Sequence, residues 1–381
     1  MRLPPSFNEM HFKRYTTLLL ISSFLIAGAS CNLEQSLFAT ASPQVQPLPT
    51  FNTDDLVSQR DTDPSYSEED AEHITLESGT VRITAEGTYI LEGTLRDGHI
   101  EIDAEDEDKI HLVLAGIDIE CDNIPAIEVL NADKVFITLK EGSFNRLYVT
   151  GSSDLNATPS AIHSKDDLTV NGSGTLDITS AGNAIVCTDE VVITGGNILI
   201  DCEGCAVQTK ESVVITDADI NVTSCYDGLH AENEYDGTLG FVVISGGTIS
   251  INAQDDAVHG SSSVTVTGGE FILSGSECIE STYVRIDDGI FDFDATGDGI
   301  NAGRKSDCYS PTIEINGGNF TIVVARGDTD GIDSNGDLIL SGGSFNISAE
   351  SPFDWDGELT CTGGTFIVNG EETDRITNQD P

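Results

Sequence analysis

One short phrase recurs eight times between Asn183 and Asp354, and in most copies its first residue carries a carboxylate or amide oxygen. The copies read Asn183-Ala-Ile, Cys205-Ala-Val, Asp227-Gly-Leu-His, Asp256-Ala-Val-His, Glu277-Cys-Ile-Glu, Asp298-Gly-Ile-Asn, Asp330-Gly-Ile-Asp and Asp354-Trp-Asp. Three residues after the leading slot comes a second polar line: His230, His259, Glu280, Asn301 and Asp333. If each copy stacks on the next at strand spacing, about 4.8 Å, neighbouring carboxylates repel and some must hold a proton. A hard divalent cation removes that conflict, and calcium in particular takes several oxygens from carboxylates, amides, backbone and water. The expected metal ligands are therefore Asp227, Asp256, Glu277, Asp298, Asn301, Asp330 and Asp333, with calcium as the ion. Asp298, Asn301, Asp330 and Asp333 make the densest set, and Asn335 stands close by. The plainer account is that each Asp forms a turn with nearby backbone N–H groups, helped by the following Gly. A helix–loop–helix calcium loop is excluded. Read from Asp328, it would need Gly and Glu where the chain has Asp333 and Ile339. His230 and His259 sit among oxygen groups and read as hydrogen-bonding members of the line rather than zinc ligands.

The elements that must position these residues follow from the counts between them. From the second residue of each turn to the leading slot is 9 residues for Gly174, Gly196, Ala218, Gly247 and Gly289. From the slot to the next turn is 13 for Asn183, Cys205, Asp256 and Asp330, so the unit is 22 residues long. Between slots lie runs such as Val264-Thr-Val-Thr and Thr312-Ile-Glu-Ile, rich in β-branched residues and partly alternating. Gly-Gly pairs between the runs supply the positive φ angles of corners. A fixed period means one stacked unit per repeat, and this one predicts an all-β chain wound as a parallel β-helix with coils of about 22 residues. Leucine-rich repeats share the length but need a Leu/Asn consensus that is missing.

Two coils carry an extra 7 residues, 231–237 and 302–308, at the same corner. On a repeat protein such insertions gather on one face, often the binding face. They bring Tyr235, Arg304 and Lys305, with Tyr309 next and Trp355 two coils on. Flat aromatics beside hydroxyl-pairing acids suit a sugar ring, so these five are the candidate ligand-binding residues. For Phe353 and Trp355 a cap over the last coil is the competing account. Arg326-Gly-Asp328 resembles an adhesion tripeptide, which loop chemistry explains as well.

The chain of 381 residues carries 65 acidic side chains against 17 Lys and Arg, a net charge of −48. Phosphate would be repelled, so nucleic acid is excluded as a partner. Residues 1–31 read as an export signal, with Arg2, Lys13 and Arg14 ahead of the apolar run Thr16–Ala27 and the small residues Gly28-Ala29-Ser30 before Cys31. Cys31 is a candidate lipidation site, although Gly28 stands where such signals carry Leu. The protein is expected outside the cell or at its surface, touching membrane only through that lipid. Residues 32–70 read as a flexible linker, 71–371 as the repeat domain and 372–381 as a tail. The other eight cysteines allow disulfides in an exported protein. Cys202 and Cys225 share a register on adjacent coils, and free buried thiols explain them equally.

At these residues the chain resembles a family of exported bacterial carbohydrate-binding proteins built as calcium-bearing right-handed parallel β-helices. The likeness runs over residues 74–370. It is carried by Ile83-Thr-Ala-Glu-Gly-Thr-Tyr-Ile-Leu, by Ala161-Ile-His-Ser-Lys-Asp-Asp-Leu, and by Gly297-Asp-Gly-Ile-Asn-Ala with its echo Asp330-Gly-Ile-Asp-Ser-Asn-Gly. The resemblance implies calcium near Asp298, Asn301, Asp330 and Asp333. It also implies a polysaccharide ligand, cellulose-like or acidic and pectin-type. Cys205 and Glu277 depart from it, standing where Asp is expected. Two other functions stay open. One is a calcium-dependent polysaccharide lyase on the same scaffold, with Lys165, Lys210, Arg304, Lys305 or Arg326 as base. The other is a structural or adhesive surface protein.

Overall fold

The computed structural model describes residues 53–151, 160–327 and 329–378. The export segment, Cys31, the linker up to residue 52, Asp328 and residues 379–381 lie outside the described residues. Apart from two one-turn helices, Thr53–Leu56 and Gln59–Thr62, the regular elements are short strands joined in one sheet. The pairing is parallel throughout except where Thr365–Val368 meets Glu371–Thr373 antiparallel at the C-terminal end.

Each strand bonds to its equivalent one repeat earlier and one repeat later, which builds three parallel ladders. The corner ladder holds the polar slots and runs through Ser160–Ser164, Asn183–Cys187, Val207–Thr209, Leu229–Ala231, Ile300–Ala302, Asp330–Ser334 and Ser351–Trp355. A second ladder runs through Glu190–Ile193, Ser212–Ile215, Phe241–Ile244, Thr312–Ile315 and Asp337–Leu340. A third runs through Asn197–Cys202, Asp219–Cys225, Thr248–Ala253, Glu270–Gly275, Ile290–Ala295, Asn319–Val324 and Ser344–Ser348. Val258–Val266 and Ile279–Ile286 belong to both the corner and second ladders, because no insertion interrupts them.

Alternation decides which residues enter the core. In the second ladder Val191, Val213, Val242, Val264, Val284, Ile313 and Leu338 lie in line and fully buried. Burying a β-branched or Leu side chain stabilises by about 1.5–3 kcal/mol, and a parallel ladder repeats that gain at every rung. In the third ladder the line changes character. Leu176, Ile198, Ile220 and Ile249 give way to Phe271, Phe291, Phe320, Phe345 and Phe366. Their rings stack at 4.9, 4.5, 4.9 and 5.1 Å between centroids. Each of these five rings sits two residues after a turn glycine with positive φ, such as Gly289 at 141° and Gly318 at 98°. A Cβ on Gly289 would lie 2.6 Å from the Phe291 ring. The turn glycine is thus required twice, for its dihedral and for the ring beside it. The core along this ladder is thus aliphatic in the first coils and aromatic in the last ones.

The linker reading of residues 32–70 needs correction over 53–66. Ser58 caps Gln59–Thr62 reciprocally with Asp61, and Asp61 is almost fully buried. Its carboxylate accepts from Thr169 Oγ1 (2.5 Å) and pairs with Lys134 Nζ (2.9 Å), while its carbonyl accepts from Asn171 and Thr194. Burial works to raise the Asp61 pKa, and Ser58, Thr169 and Lys134 outweigh it, holding the carboxyl below its usual range. A polar composition hid this segment because its anchor is one satisfied buried charge rather than an apolar face.

Candidate functional site

The corner ladder brings the expected polar lines into register. Gln208, His230, His259, Glu280, Asn301, Asp333 and Asp354 follow one another directly on its outer row. One assignment shifts. Ser351 lies opposite Asp330, so Asp354 belongs to this outer row and not to the leading slot.

Three of the leading slots explain themselves through backbone bonds. Asn183 Oδ1 accepts the N–H of Cys205 (2.8 Å), 22 residues on. Asp227 Oδ1 accepts the N–H of Asp256 (3.3 Å), and Asp298 Oδ1 accepts that of Asp330 (2.7 Å). The oxygen in each of these slots therefore ties one coil to the next, rather than closing a turn within its own coil. The small residue that follows is also forced. A Cβ on Gly299 would stand 2.4 Å from Gly331 O, and one on Gly228 would stand 2.2 Å from Ala257 O.

Electrostatics divide the row into parts. Toward the C-terminal end, burial together with the Asp330, Glu277 and Glu280 carboxylates pushes Asp298 up to about 6. Burial and the Asp298, Asp330 and Asp354 carboxylates push Asp333 up to about 7. Asn301 gives its Nδ2 to Glu280 Oε1 at 3.5 Å, and its buried Oδ1 meets no hydrogen-bond donor. In the middle, His259 Nδ1 lies 3.0 Å from both Asp256 Oδ2 and Glu280 Oε2. Lys305 Nζ closes on Glu280 Oε1 at 2.7 Å. Burial opposes charge on His259, and the two carboxylates outweigh it, raising the imidazole to about 9. Burial opposes the Glu280 charge, but His259 and Lys305 outweigh it and hold that carboxyl low, whereas burial and the neighbouring Glu280 raise Asp256. At the near end, His230 stacks on His259 at 4.6 Å and sets Nδ1 3.0 Å from Asp227 Oδ2.

Among the described residues, donor atoms within 4.8 Å of one another form four clusters: Cys205/Asp227/His230, Asp256/His259/Glu280, Asp255/Asp256/Glu277 and His99/Glu101/Glu128. Asp298, Asp330 and Asp333 do not form such a cluster on their own. Asp255, Glu101, Glu128 and His99 were missed by sequence reasoning. The last three lie on coils before the phrase becomes recognisable.

The two insertions do meet at one edge. Ser306 Oγ donates to Gly237 O at 2.8 Å, and the loops lie across Val258–Val266 and Ile279–Ile286. Asn233 N–H bonds to Ser261 Oγ, and the N–H groups of Lys305 and Ser306 both bond to Thr282 Oγ1. The short hydroxyl side chains of those strands leave room for the loops and anchor them.

The candidate ligand-binding residues separate. Tyr235 is 91% exposed and lines a cleft of about 320 Å³ with Gln208, Lys210, Glu232 and Asn233. Arg304 is exposed and pairs only loosely with Asp307 (3.4 Å). Lys305 is turned back onto Glu280, so it neutralises the acidic row instead of facing a ligand. Tyr309 is a correction: at 4% exposure, packed edge-on against Tyr283, it offers no face to a sugar. Trp355 packs against the end of the core beside buried Phe353, the capping arrangement. The cysteines other than Cys31 are unpaired, Cys202 and Cys225 included.

A family model described as carbohydrate-binding domain-containing protein matches residues 77–283 and 274–380. A carbohydrate-binding domain-containing protein of Acetivibrio thermocellus is 32% identical over 200 residues, spanning 51% of this chain and 70% of the relative. A solved structure, the polysaccharide lyase-like protein from C. thermocellum in a gadolinium derivative, covers 77% of this chain and 98% of its own. Its identity is 22% and its TM-score 0.35, a likeness too loose to bear on the site.

Proposed function

We propose, from the premise that this chain belongs to the family of carbohydrate-binding domain-containing proteins, that it is an exported binder of polysaccharide using calcium on its corner ladder. The ladders are read as coils of a right-handed parallel β-helix. Calcium is assigned to Asp298, Asn301, Asp330 and Asp333, with Asp256 and Glu277 beside Asp255 as a second oxygen group. The observation that carries this is the buried amide oxygen of Asn301, without a donor, among carboxyls raised by burial and by one another. Oxygens alone, carrying more charge than the site can tolerate, are the donor set of a hard divalent ion.

The sugar is placed along the outer row, with Tyr235 as stacking platform and Gln208, Asn233 and Glu232 as hydroxyl partners. An acidic, pectin-type chain would be repelled by a protein of net charge −48 unless cations stand between. Cys31 is proposed as a lipid attachment point that holds the exported protein at a surface. The lyase alternative is weakened at Lys305. Burial disfavours the Lys305 charge, but Glu280, Asp256 and Glu277 outweigh it, so the ammonium keeps its proton beyond its usual range. A general base needs the opposite shift.

Affinity electrophoresis in polygalacturonate tests this reading. The protein should be retarded with calcium present and run freely after chelation. Equal mobility in both gels overturns calcium bridging, and ultraviolet-absorbing unsaturated products would establish the lyase instead.

A further inference from the structure

The calcium reading leaves one end of the row unexplained. There the slot holds Cys205, a sulfur ligand among oxygens. We propose that Cys205, Asp227 and His230 form a separate transition-metal site of the zinc class. The three donor atoms lie within 4.8 Å of one another, with Cys205 and Asp227 buried and His230 half-buried. Cys205 Sγ stands 3.5 Å from Asp227 Oδ2, and His230 Nδ1 stands 3.0 Å from the same oxygen. Across a tetrahedral zinc ion, with Zn–S near 2.3 Å and Zn–N and Zn–O near 2.0 Å, those separations come to roughly 3.5 and 3.3 Å. Two of the three donor pairs are thus already spaced as such an ion requires, and the third lies within 4.8 Å.

A second observation points the same way. The far ring nitrogen of His230, Nε2, lies 3.4 Å from Glu232 Oε2. A carboxylate behind a histidine fixes the tautomer that presents Nδ1 as a donor to metal, the usual backing of zinc-ligating histidines. The ligand types also discriminate. Thiolate and imidazole favour zinc and its neighbours, whereas calcium takes oxygen. The adjacent Asp256/His259/Glu280 cluster lacks sulfur and already holds its imidazole between two carboxylates, with Lys305 Nζ on Glu280. Coordination at the proposed site exchanges the Cys205 thiol proton for the divalent ion. The fourth position falls to water, and the Tyr235 cleft, lined by Gln208 and Glu232, lies alongside.

Cobalt(II) is the probe, added to the full chain after chelation under a non-thiol reductant. We expect a tetrahedral visible spectrum with a sulfur-to-cobalt charge-transfer band, displaced by zinc and unaffected by excess calcium. Cys205→Ser should abolish the charge-transfer band, and Cys202→Ser should leave it. Glu232→Gln should keep the band while weakening affinity on the order of 10- to 100-fold. His230→Ala gives a second route, expected to lower cobalt affinity at least about tenfold by removing a ligand. A missing band in the wild-type chain, a band that survives Cys205→Ser, or ready displacement by calcium would each overturn the site. Calcium retardation in polygalacturonate is read separately, so failure of one assignment leaves the other standing.

Discussion

Asp298 and Asp333 contribute to the pH behaviour of the ion-free protein, in the same direction as Asp189 and Glu190, which burial pushes up to about 7. Asp298 and Asp333 are raised in the fold, to about 6 and about 7. The folded chain therefore binds these protons more tightly than the unfolded chain, whose Asp residues titrate near 3.9. Their effect on stability is most favourable below pH 4 and is lost as pH rises through 6 to 7. His259 carries a different window: its raised pKa stabilises fully below about 6.5 and fades as pH passes about 9. Melting temperature without calcium should thus fall between pH 5 and 8, and millimolar calcium should largely restore it by replacing the lost protons. Asp333→Asn removes one of the crowded charges. It should raise the ion-free melting temperature at pH 8 by about 1–2 °C, the effect of about 1 kcal/mol in a domain of this size, while weakening calcium binding. A melting profile flat across this range, or insensitive to calcium, would count against the assigned cluster. The acids themselves were legible in the sequence because their spacing is periodic. Lys305 as the partner of Glu280 was not, because it arrives from an insertion and its spacing says nothing about its direction.

Strands and turns were legible wherever one side chain had to satisfy two constraints at once. The Gly-Gly turns gave the coil length. Their partner phenylalanines, always two residues on, could have been read as one stack and were not, because each run alone looks like an ordinary strand. Phe320 lies third of five in that stack, between Phe291 and Phe345 at 4.5 and 4.9 Å. Phe320→Ala should cost about 3–5 kcal/mol, as for a large buried ring, measured by urea unfolding with the slope unchanged. The phrase glycine is a different kind of element constraint. Gly299→Ala would drive a Cβ against the carbonyl of Gly331, which follows Asp330 directly. We expect about 1–3 kcal/mol of destabilisation together with weaker calcium binding, since the shifted backbone adjoins the next proposed ligand. Full calcium affinity in this variant would separate the backbone contact from the site.

At the scale of the molecule, one surface is asked to attract a polysaccharide while the whole chain carries a charge of −48. The parallel ladders make that surface long and regular. Composition alone could exclude nucleic acid but could not say which face binds, because solvated acids are scattered over all the coils. On the proposed reading the two insertions mark the face, and their contact through Ser306 and Gly237 makes them one feature. Of the aromatics they bring, burial removes Tyr309 and leaves Tyr235 fully in solvent. An exposed ring can be deleted with little effect on folding, so Tyr235→Ala should keep the wild-type melting temperature to within about 1–2 °C. The variant then separates stacking from ion bridging. On a neutral glucan, wild-type retardation should be independent of calcium, and Tyr235→Ala should remove most of it. On polygalacturonate, Asp333→Asn should remove more retardation than Tyr235→Ala, because there the cations must first reverse the sign of the surface. Should Tyr235→Ala bind both polymers as the wild type does, the sugar face lies elsewhere on the ladders and the cleft beside Glu232 serves another ligand.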